Sequence, residues 1–346
     1  MYARRVVLPL TTASAPLSSS IAQAVQRRAE LLESLHAEGT DCYRLFHGAV
    51  EGAPGITVDR YGPVLLVQSW SRELEPGSLE RIQSVVEGAL ECSLRLVWNH
   101  RTNQNDAFER WFPFEAEAEL IGSELALQYD VRPRHRGRDP LLFLDLRSGR
   151  RALLQRASGC EVLNLFAYTC GMGLAVAKGG ATQVVNIDFA ASALAVGNRN
   201  AARNQIGSER FVTVQADVLP TLRQLAGLAV KGRASRRRSF EKFTPRQFDL
   251  VLLDPPAWAK GPFKAVDVVR DYSSLFKPAL LATRQGGAML VTNNSSRVAW
   301  EDWVDLLERS ARKAGRPLRQ IERILPEEDF PSPDGQPPLK VAWLQV

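Results

Sequence analysis

The stretch Leu252-Leu253-Asp254-Pro255-Pro256-Ala257-Trp258 ends an apolar run with a carboxylate, two prolines and an indole. Two successive prolines fix two φ angles and remove two backbone donors. The first of them also pushes Asp254 out of the helical region. Asn-Gly or Asp-Gly would be enough for a simple turn. This corner is stiffer, and it presents an acid, backbone carbonyls and an aromatic ring at a strand end. The chemistry that suits it is positioning, with rigid acceptors for the N–H groups of a planar substrate and Trp258 available for stacking. A buried structural indole is an equally good reading of Trp258.

Other polar residues stand at comparable places. Asn164, Asp188, Asp217 and the pair Asn293-Asn294 each lie near the end of a short apolar run. After the run Glu161–Phe166 comes Phe166-Ala167-Tyr168-Thr169-Cys170-Gly171-Met172-Gly173, with two glycines two residues apart. Glycines at a strand-to-helix turn let a ligand approach the backbone. Asp188 is placed to accept both ribose hydroxyls of a nucleoside, and Asp217 to accept from an adenine amino group. Phe189 and Val218, which follow these acids, complete that candidate site. NAD and S-adenosylmethionine (SAM) both carry the adenosine such a site would hold. A dinucleotide fingerprint needs a third glycine, and Val176 stands in its place. SAM has no pyrophosphate, so the gap favours SAM.

These residues need a scaffold. From about residue 160, EVLNLF, QVVNID, FVTVQAD, QFDLVLLD and GAMLVTNN alternate with helical or loop material. That alternation predicts an α/β fold with a doubly wound, mostly parallel sheet. Ligands bind such sheets at the C-terminal strand ends. Upstream, Ser18 to Glu38 has the apolar spacing of one amphipathic helix with a serine cap. ITVDRY, VLLVQSW, a helix near Gly77–Glu91 and LRLVWN then read as a small α+β domain, roughly 43–122. The expected division is an N-terminal arm and helix (1–42), that domain, and a larger one (123–346) with a basic insertion near 226–246. The insertion is assigned no regular structure.

The chain has 346 residues, 45% of them apolar, a net charge of +6 and a pI near 9.3. No apolar run approaches membrane-spanning length. Four scattered cysteines read as free thiols of a reducing compartment, with no metal-ligand spacing. Two basic runs suggest a polyanionic partner. Residues 231–246 hold seven Lys/Arg against one Glu, and 131–151 hold seven Arg against two Asp. The second run contains LLFLDL, read as a strand, so its arginines are expected near phosphates. The location expected is cytoplasmic, or organellar if residues 1–29 are a transit peptide.

Assembled, the sequence resembles the class I SAM-dependent methyltransferases, and more narrowly the bacterial 23S rRNA enzymes that modify cytosine C5 or guanine N7. The resemblance spans about 43–346. It is carried by PGITVDRYG (54–62), FLDLRSGRR (143–151), LNLFAYTCGMG (163–173), VVNID (184–188), LLDPPAWAK (252–260) and TNNSS (292–296). It implies a seven-stranded Rossmann-like sheet whose last strand, LKVAWLQV, runs antiparallel. It also implies that Phe166, Tyr168, Gly171 and Gly173 line the cofactor, that Asp188 and Asp217 hold ribose and adenine, and that Asp145 and Arg147 sit over the entrance. The cytosine branch commonly carries a separate N-terminal RNA-binding module not recognised here, which leaves RNA capture to the small domain and the basic runs.

The methylated atom follows from the nucleophile. Cytosine C5 needs a thiolate to add at C6 first, and the resemblance places that cysteine after the fifth strand, where this chain has Thr292-Asn293-Asn294-Ser295-Ser296. A nitrogen of guanine needs only placement. The expected catalytic set is therefore Asp254, Pro255, Pro256, Trp258 and Asn293, acting on a flipped-out base without a covalent intermediate. Alternatives are a cytosine-C5 enzyme, a non-catalytic RNA-binding or assembly factor with the same fold, and a methyltransferase for small molecules or proteins.

Overall fold

In the computed structural model, residues 16–70, 73–101, 120–133, 140–230, 241–256, 258–260, 265–267 and 269–346 are described, with backbone alone for those between 258 and 267. The chain opens with α1 (Leu17–Arg27) and α2 (Ala29–Ala37). One helix with a serine cap was expected. Instead Pro16 precedes α1 without a side-chain cap, and the helix breaks at Arg28. Arg28 is buried, and its guanidinium donates to Glu51 Oε1 at 2.7 Å and Oε2 at 3.2 Å. Satisfying that buried charge outweighs one more turn of continuous helix.

Four strands follow: β1 (Cys42–His47), β2 (Ile56–Tyr61), β3 (Val64–Ser69) and β4 (Arg95–His100), in the order β1-β2-β3-β4. The pairs are antiparallel except β3–β4, which is parallel across α3 (Pro76–Leu90). β1 was not expected from the sequence pattern. One face of this sheet carries Leu45, Val58, Leu65, Val67 and Trp98, packed with Ile21, Val25, Leu32 and Leu35 of the first two helices. Ile21, Ala24 and Val25 of α1 are thus part of the small domain's core.

A hairpin, β5 (Ile121–Glu124) and β6 (Leu127–Asp130), comes next. The domain boundary expected at 122/123 falls inside β5. Cys42, Tyr61, Val64, Leu66 and Val97 on the other face of the small sheet share one cluster with Leu127, Tyr129 and residues of the larger sheet. LLFLDL is not a strand: Leu144–Leu146 is a turn of 3-10 helix leading into α4 (Arg147–Arg156).

The larger sheet uses β7 (Glu161–Leu165), β8 (Gln183–Asp188), β9 (Phe211–Gln215), β10 (Phe248–Leu253), β13 (Thr283–Asn293), β14 (Gln320–Ile324) and β15 (Lys340–Gln345). Its order is β14-β15-β13-β10-β7-β8-β9, with only β15 antiparallel to its neighbours, as the resemblance implied. Alternate residues of the central strands feed opposite faces. Leu250, Leu252 and Leu290 lie in one cluster, and Val251, Leu253, Met289 and Val291 in the other. Both faces are covered, by α4, α5 (Gly171–Lys178) and α6 (Ala191–Arg203) on one side and α7 (Val218–Leu225), α8 (Tyr272–Leu281) and α9 (Trp300–Lys313) on the other. Strands buried twice over read as continuous apolar runs, so the sequence reveals them. A short ribbon, β11 (Trp258–Lys260) and β12 (Ala265–Asp267), follows the Pro-Pro corner.

Candidate active site

The chain leaves β7 towards β8 and β9 on one side and later returns to β10 and β13 on the other. The carboxyl ends of β7 and β10 therefore flank a topological switch point, where an open parallel sheet leaves a crevice. A cavity of about 600 Å³ lies there. Leu142, Phe143, Phe166, Met172 and Phe189 give it apolar walls, and Asp145, Asp188, Asp254 and Arg150 supply charge. Phe143 and Phe189 are 40% and 46% exposed.

The turn after β7 is the most constrained backbone at this site. Phe166, Tyr168 and Cys170 have φ of 59°, 49° and 62°. None is glycine, so each left-handed residue is strained. The surroundings hold the turn in place. Tyr168 N–H donates to Asp188 Oδ2 at 2.9 Å, Thr169 Oγ1 to the Leu141 carbonyl at 2.5 Å, and the Tyr168 hydroxyl to the Pro140 carbonyl at 3.2 Å. Asp188 also accepts from Ala190 N–H at 2.8 Å. Burial pushes its carboxyl above the ordinary carboxylate range, while the backbone donors of Ala190, Tyr168 and Phe189 pull the other way. A carboxylate fixed in this way at the cavity wall can accept a vicinal diol.

Across the cavity, Asp254, Pro255 and Pro256 line the opposite wall. Burial pushes the Asp254 carboxyl up to about 6, against a hydrogen bond from the Thr292 hydroxyl, and the charge of Asp145 adds to the rise. Arg150, 2% exposed, is held by Glu124 through Nε at 2.5 Å and Nη2 at 2.8 Å, and donates to the Phe143 carbonyl at 2.8 Å. The β5–β6 hairpin is thereby anchored to the cavity rim.

Comparison with known proteins gives this geometry a family. The sequence profile of the S-adenosylmethionine-dependent methyltransferases matches residues 43–345. The chain belongs to that family. A ribosomal RNA large subunit methyltransferase of Deinococcus radiodurans is 30% identical over 309 residues, 86% of this chain and 71% of the relative. The ribosomal RNA large subunit methyltransferase I of Escherichia coli O9:H4 is 27% identical over 298 residues, 85% and 71% of the two chains. Among solved structures, a methyltransferase complexed with SAH superposes with a TM-score of 0.75 at 21% identity, covering 99% of this chain and 83% of its own. A methyltransferase of Streptococcus mutans gives 0.74, again at 21% identity with 99% and 83% covered.

SAM is the cofactor of this methyltransferase, and the cavity fits it. A flat adenine needs apolar walls, the ribose a carboxylate, and the sulfonium a site whose acids offset its charge. Of the residues expected to hold SAM, the structure brings Asp145, Phe166, Tyr168, Gly171, Asp188, Phe189 and Asp254 to the cavity.

The others go elsewhere. Arg147 is not at the entrance: it is fully buried, donating to Glu327 Oε2 at 2.6 Å, Asp329 Oδ1 at 2.5 Å and the Cys42 carbonyl at 2.9 Å. Arg151 pairs with Glu38 at 2.5 Å and Glu327 at 2.9 Å. With Arg150 also paired, Arg147 and Arg150 are internal and the half-buried Arg151 is taken up by ion pairs, so the three do not form the phosphate-contacting surface expected of the run. Arg134, Arg136 and Arg138 lie outside the described residues, as do 231–240 of the other run. Asp217 is one helix cap away from its expected role, its Oδ1 accepting from Leu219 N–H at 3.0 Å at the start of α7, and Val218 is buried in the core. Asn164 lies under α5 and donates to Asn186 Oδ1 at 2.9 Å. Gly173 is needed there, because a Cβ would come within 2.1 Å of that same oxygen. Its role is close helix–sheet packing.

On the catalytic side, Asp254, Pro255 and Pro256 line the cavity, and the Trp258 side chain lies outside the described residues. Asn293 turns inward, accepting from Ser295 N–H at 3.0 Å, while Asn294 lines the cavity. Strand alternation explains the exchange. Arg150, Met172, Thr292 and Leu339 were missed. Arg150 was hidden in a basic run, and Leu339 comes from a segment with no motif.

Proposed function

We propose that this methyltransferase acts on large-subunit ribosomal RNA and methylates a base nitrogen, most favourably of guanine, without a covalent cysteine intermediate. The names of the relatives from Deinococcus and Escherichia support the RNA. The chosen atom rests on one observation: none of the four cysteines lines the cavity. Cys170 is buried behind the turn, where burial pushes its thiol well up. Cys160 precedes β7, at the opposite end of the strand from the cavity.

When bound, SAM supplies an electrophilic methyl on its sulfonium. The protein's work is to hold a lone pair about 3 Å from that carbon along the bond axis. Asp254, ionised above about 6, and the Pro255 carbonyl offer acceptors for the N–H groups of a base. Thr292 fixes the Asp254 carboxylate, and the prolines keep the corner from yielding. Mass spectrometry of 23S rRNA from a strain lacking this protein tests the reading. The expected result is loss of one methylated guanine, and loss of a 5-methylcytosine would overturn it.

A further inference from the structure

A second cavity, of about 350 Å³, adjoins the first and shares Phe143, Asp145 and Leu339 with it. Its floor is the polar half of the small sheet's inner face. Asp59, 1% exposed, is held by Arg44 through Nε at 2.7 Å and Nη2 at 3.2 Å. Gln68 accepts from Arg101 Nη1 at 2.9 Å. Thr57 is 8% exposed, lines this floor, and its hydroxyl has no hydrogen-bond partner among the described residues. At the rim Trp70 is 44% exposed, with the Arg101 guanidinium 5.8 Å from its ring centre. The roof is the proline-rich segment 325–339.

At this cavity an unmet hydroxyl, a satisfied ion pair and an open indole face one space. Unpaired RNA needs such groups: an aromatic face to stack on, cationic neighbours, and hydrogen-bonding groups for a base edge. Asp254, Pro255, Pro256 and Asn294 line the first cavity and not this one. The reacting base is therefore presented there, and a different nucleotide occupies the second. We propose that this second cavity binds an unpaired nucleotide of the RNA next to the methylated one, stacked on Trp70 with its edge on the Thr57 hydroxyl. The assignment rests on the RNA substrate proposed above.

Thr57→Val and Trp70→Ala test it in the full chain, using the 23S rRNA fragment that the parent methylates. Loss of stacking raises KM for RNA on the order of tenfold in Trp70→Ala, and Trp70→Phe recovers most of it. Thr57→Val raises KM too, yet melts at or above the parent temperature, because an unmet buried hydroxyl stabilises nothing. SAM affinity by calorimetry stays at the parent value in both, and Val50→Ser, on an exposed surface away from both cavities, serves as control. If the parent methylates the RNA and both variants keep its KM, the nucleotide assignment is wrong while the RNA substrate stands. The assignment fails equally if Thr57→Val loses thermal stability and SAM affinity together. Should the parent methylate a protein fraction and no RNA, the proposed function fails first and takes this assignment with it.

Discussion

The cofactor cavity and the seam that joins the small sheet to the larger one are built by opposite means. The cavity takes two of its four charged residues, Asp188 and Asp254, from strand ends, and the other two, Asp145 and Arg150, from one short helical stretch. The seam is held by partners far apart in the chain. Arg147 reaches Glu327 and Asp329, 180 and 182 residues away, and Arg44 N–H donates to Asp329 Oδ2 from 285 residues away. The contrast teaches that a binding site can be local in topology while its alignment depends on a distant clamp. Segment 325–339 is that clamp, since it pairs with Arg147 and Arg151 and also roofs the second cavity.

The largest expected effect lies at the seam. Arg147→Ala strands the buried Asp329 carboxylate and takes one of two guanidinium partners from Glu327, and breaking a buried pair costs about 3–5 kcal/mol. Thermal melting should show the loss, and SAM affinity should fall only as the folded fraction falls. An unchanged melting temperature would dissolve the comparison. Next comes Asp254→Asn, which should lower methyl incorporation on the order of 10²–10³-fold while leaving the fold intact.

Asp254 also sets a pH dependence. Its carboxyl is raised from the ordinary 3.8 to about 6 in the folded chain. Its contribution to stability is full below 3.8 and is lost as pH rises through about 6. Asp254→Asn should therefore melt higher than the parent at neutral pH and not in acid. For catalysis the ionised acceptor is required, so the parent's kcat/KM should climb through about 6 and then level, and the variant's profile should be flat.

The two strand-end acids sharpen the contrast within the cavity itself. Asp188→Ala should weaken SAM binding by about tenfold to a hundredfold, the scale of hydrogen bonds to a charged group. Asp217→Ala should leave calorimetric affinity unchanged and cost about 1 kcal/mol of stability through the lost helix cap. The smallest effect is at the β5–β6 turn. Leu125 and Ala126 there have φ of 55° and 56°. Ala126→Gly should stabilise the chain by about 1 kcal/mol by removing one left-handed Cβ.

That turn also marks where reading the sequence stops. A hairpin of this kind usually announces itself with Asn-Gly or Asp-Gly, and Leu125-Ala126 gives no such sign. The turn after β7 could be located from its glycines, but its left-handed backbone is hidden in the same way, because Phe166, Tyr168 and Cys170 hold positions that glycine would have advertised. LLFLDL has the composition of a strand, but its leucines face the core from a helical turn. β7, β8, β10 and β13 were legible because burial on both faces demands unbroken apolar runs.

The sequence by itself determined the wound sheet, the glycine turn, and the rigid acid at the mouth of β10. Those depend on local covalent geometry and on hydrophobic period, which neighbouring residues carry. Tertiary structure alone decided that Asp188 faces the cavity while Asp217 caps a helix, that Asn294 rather than Asn293 reaches it, and that Arg147 is a buried clamp. In each case the side chain's partner, and not its own type or its neighbours, set its role, and the partner is brought into reach only when the chain closes.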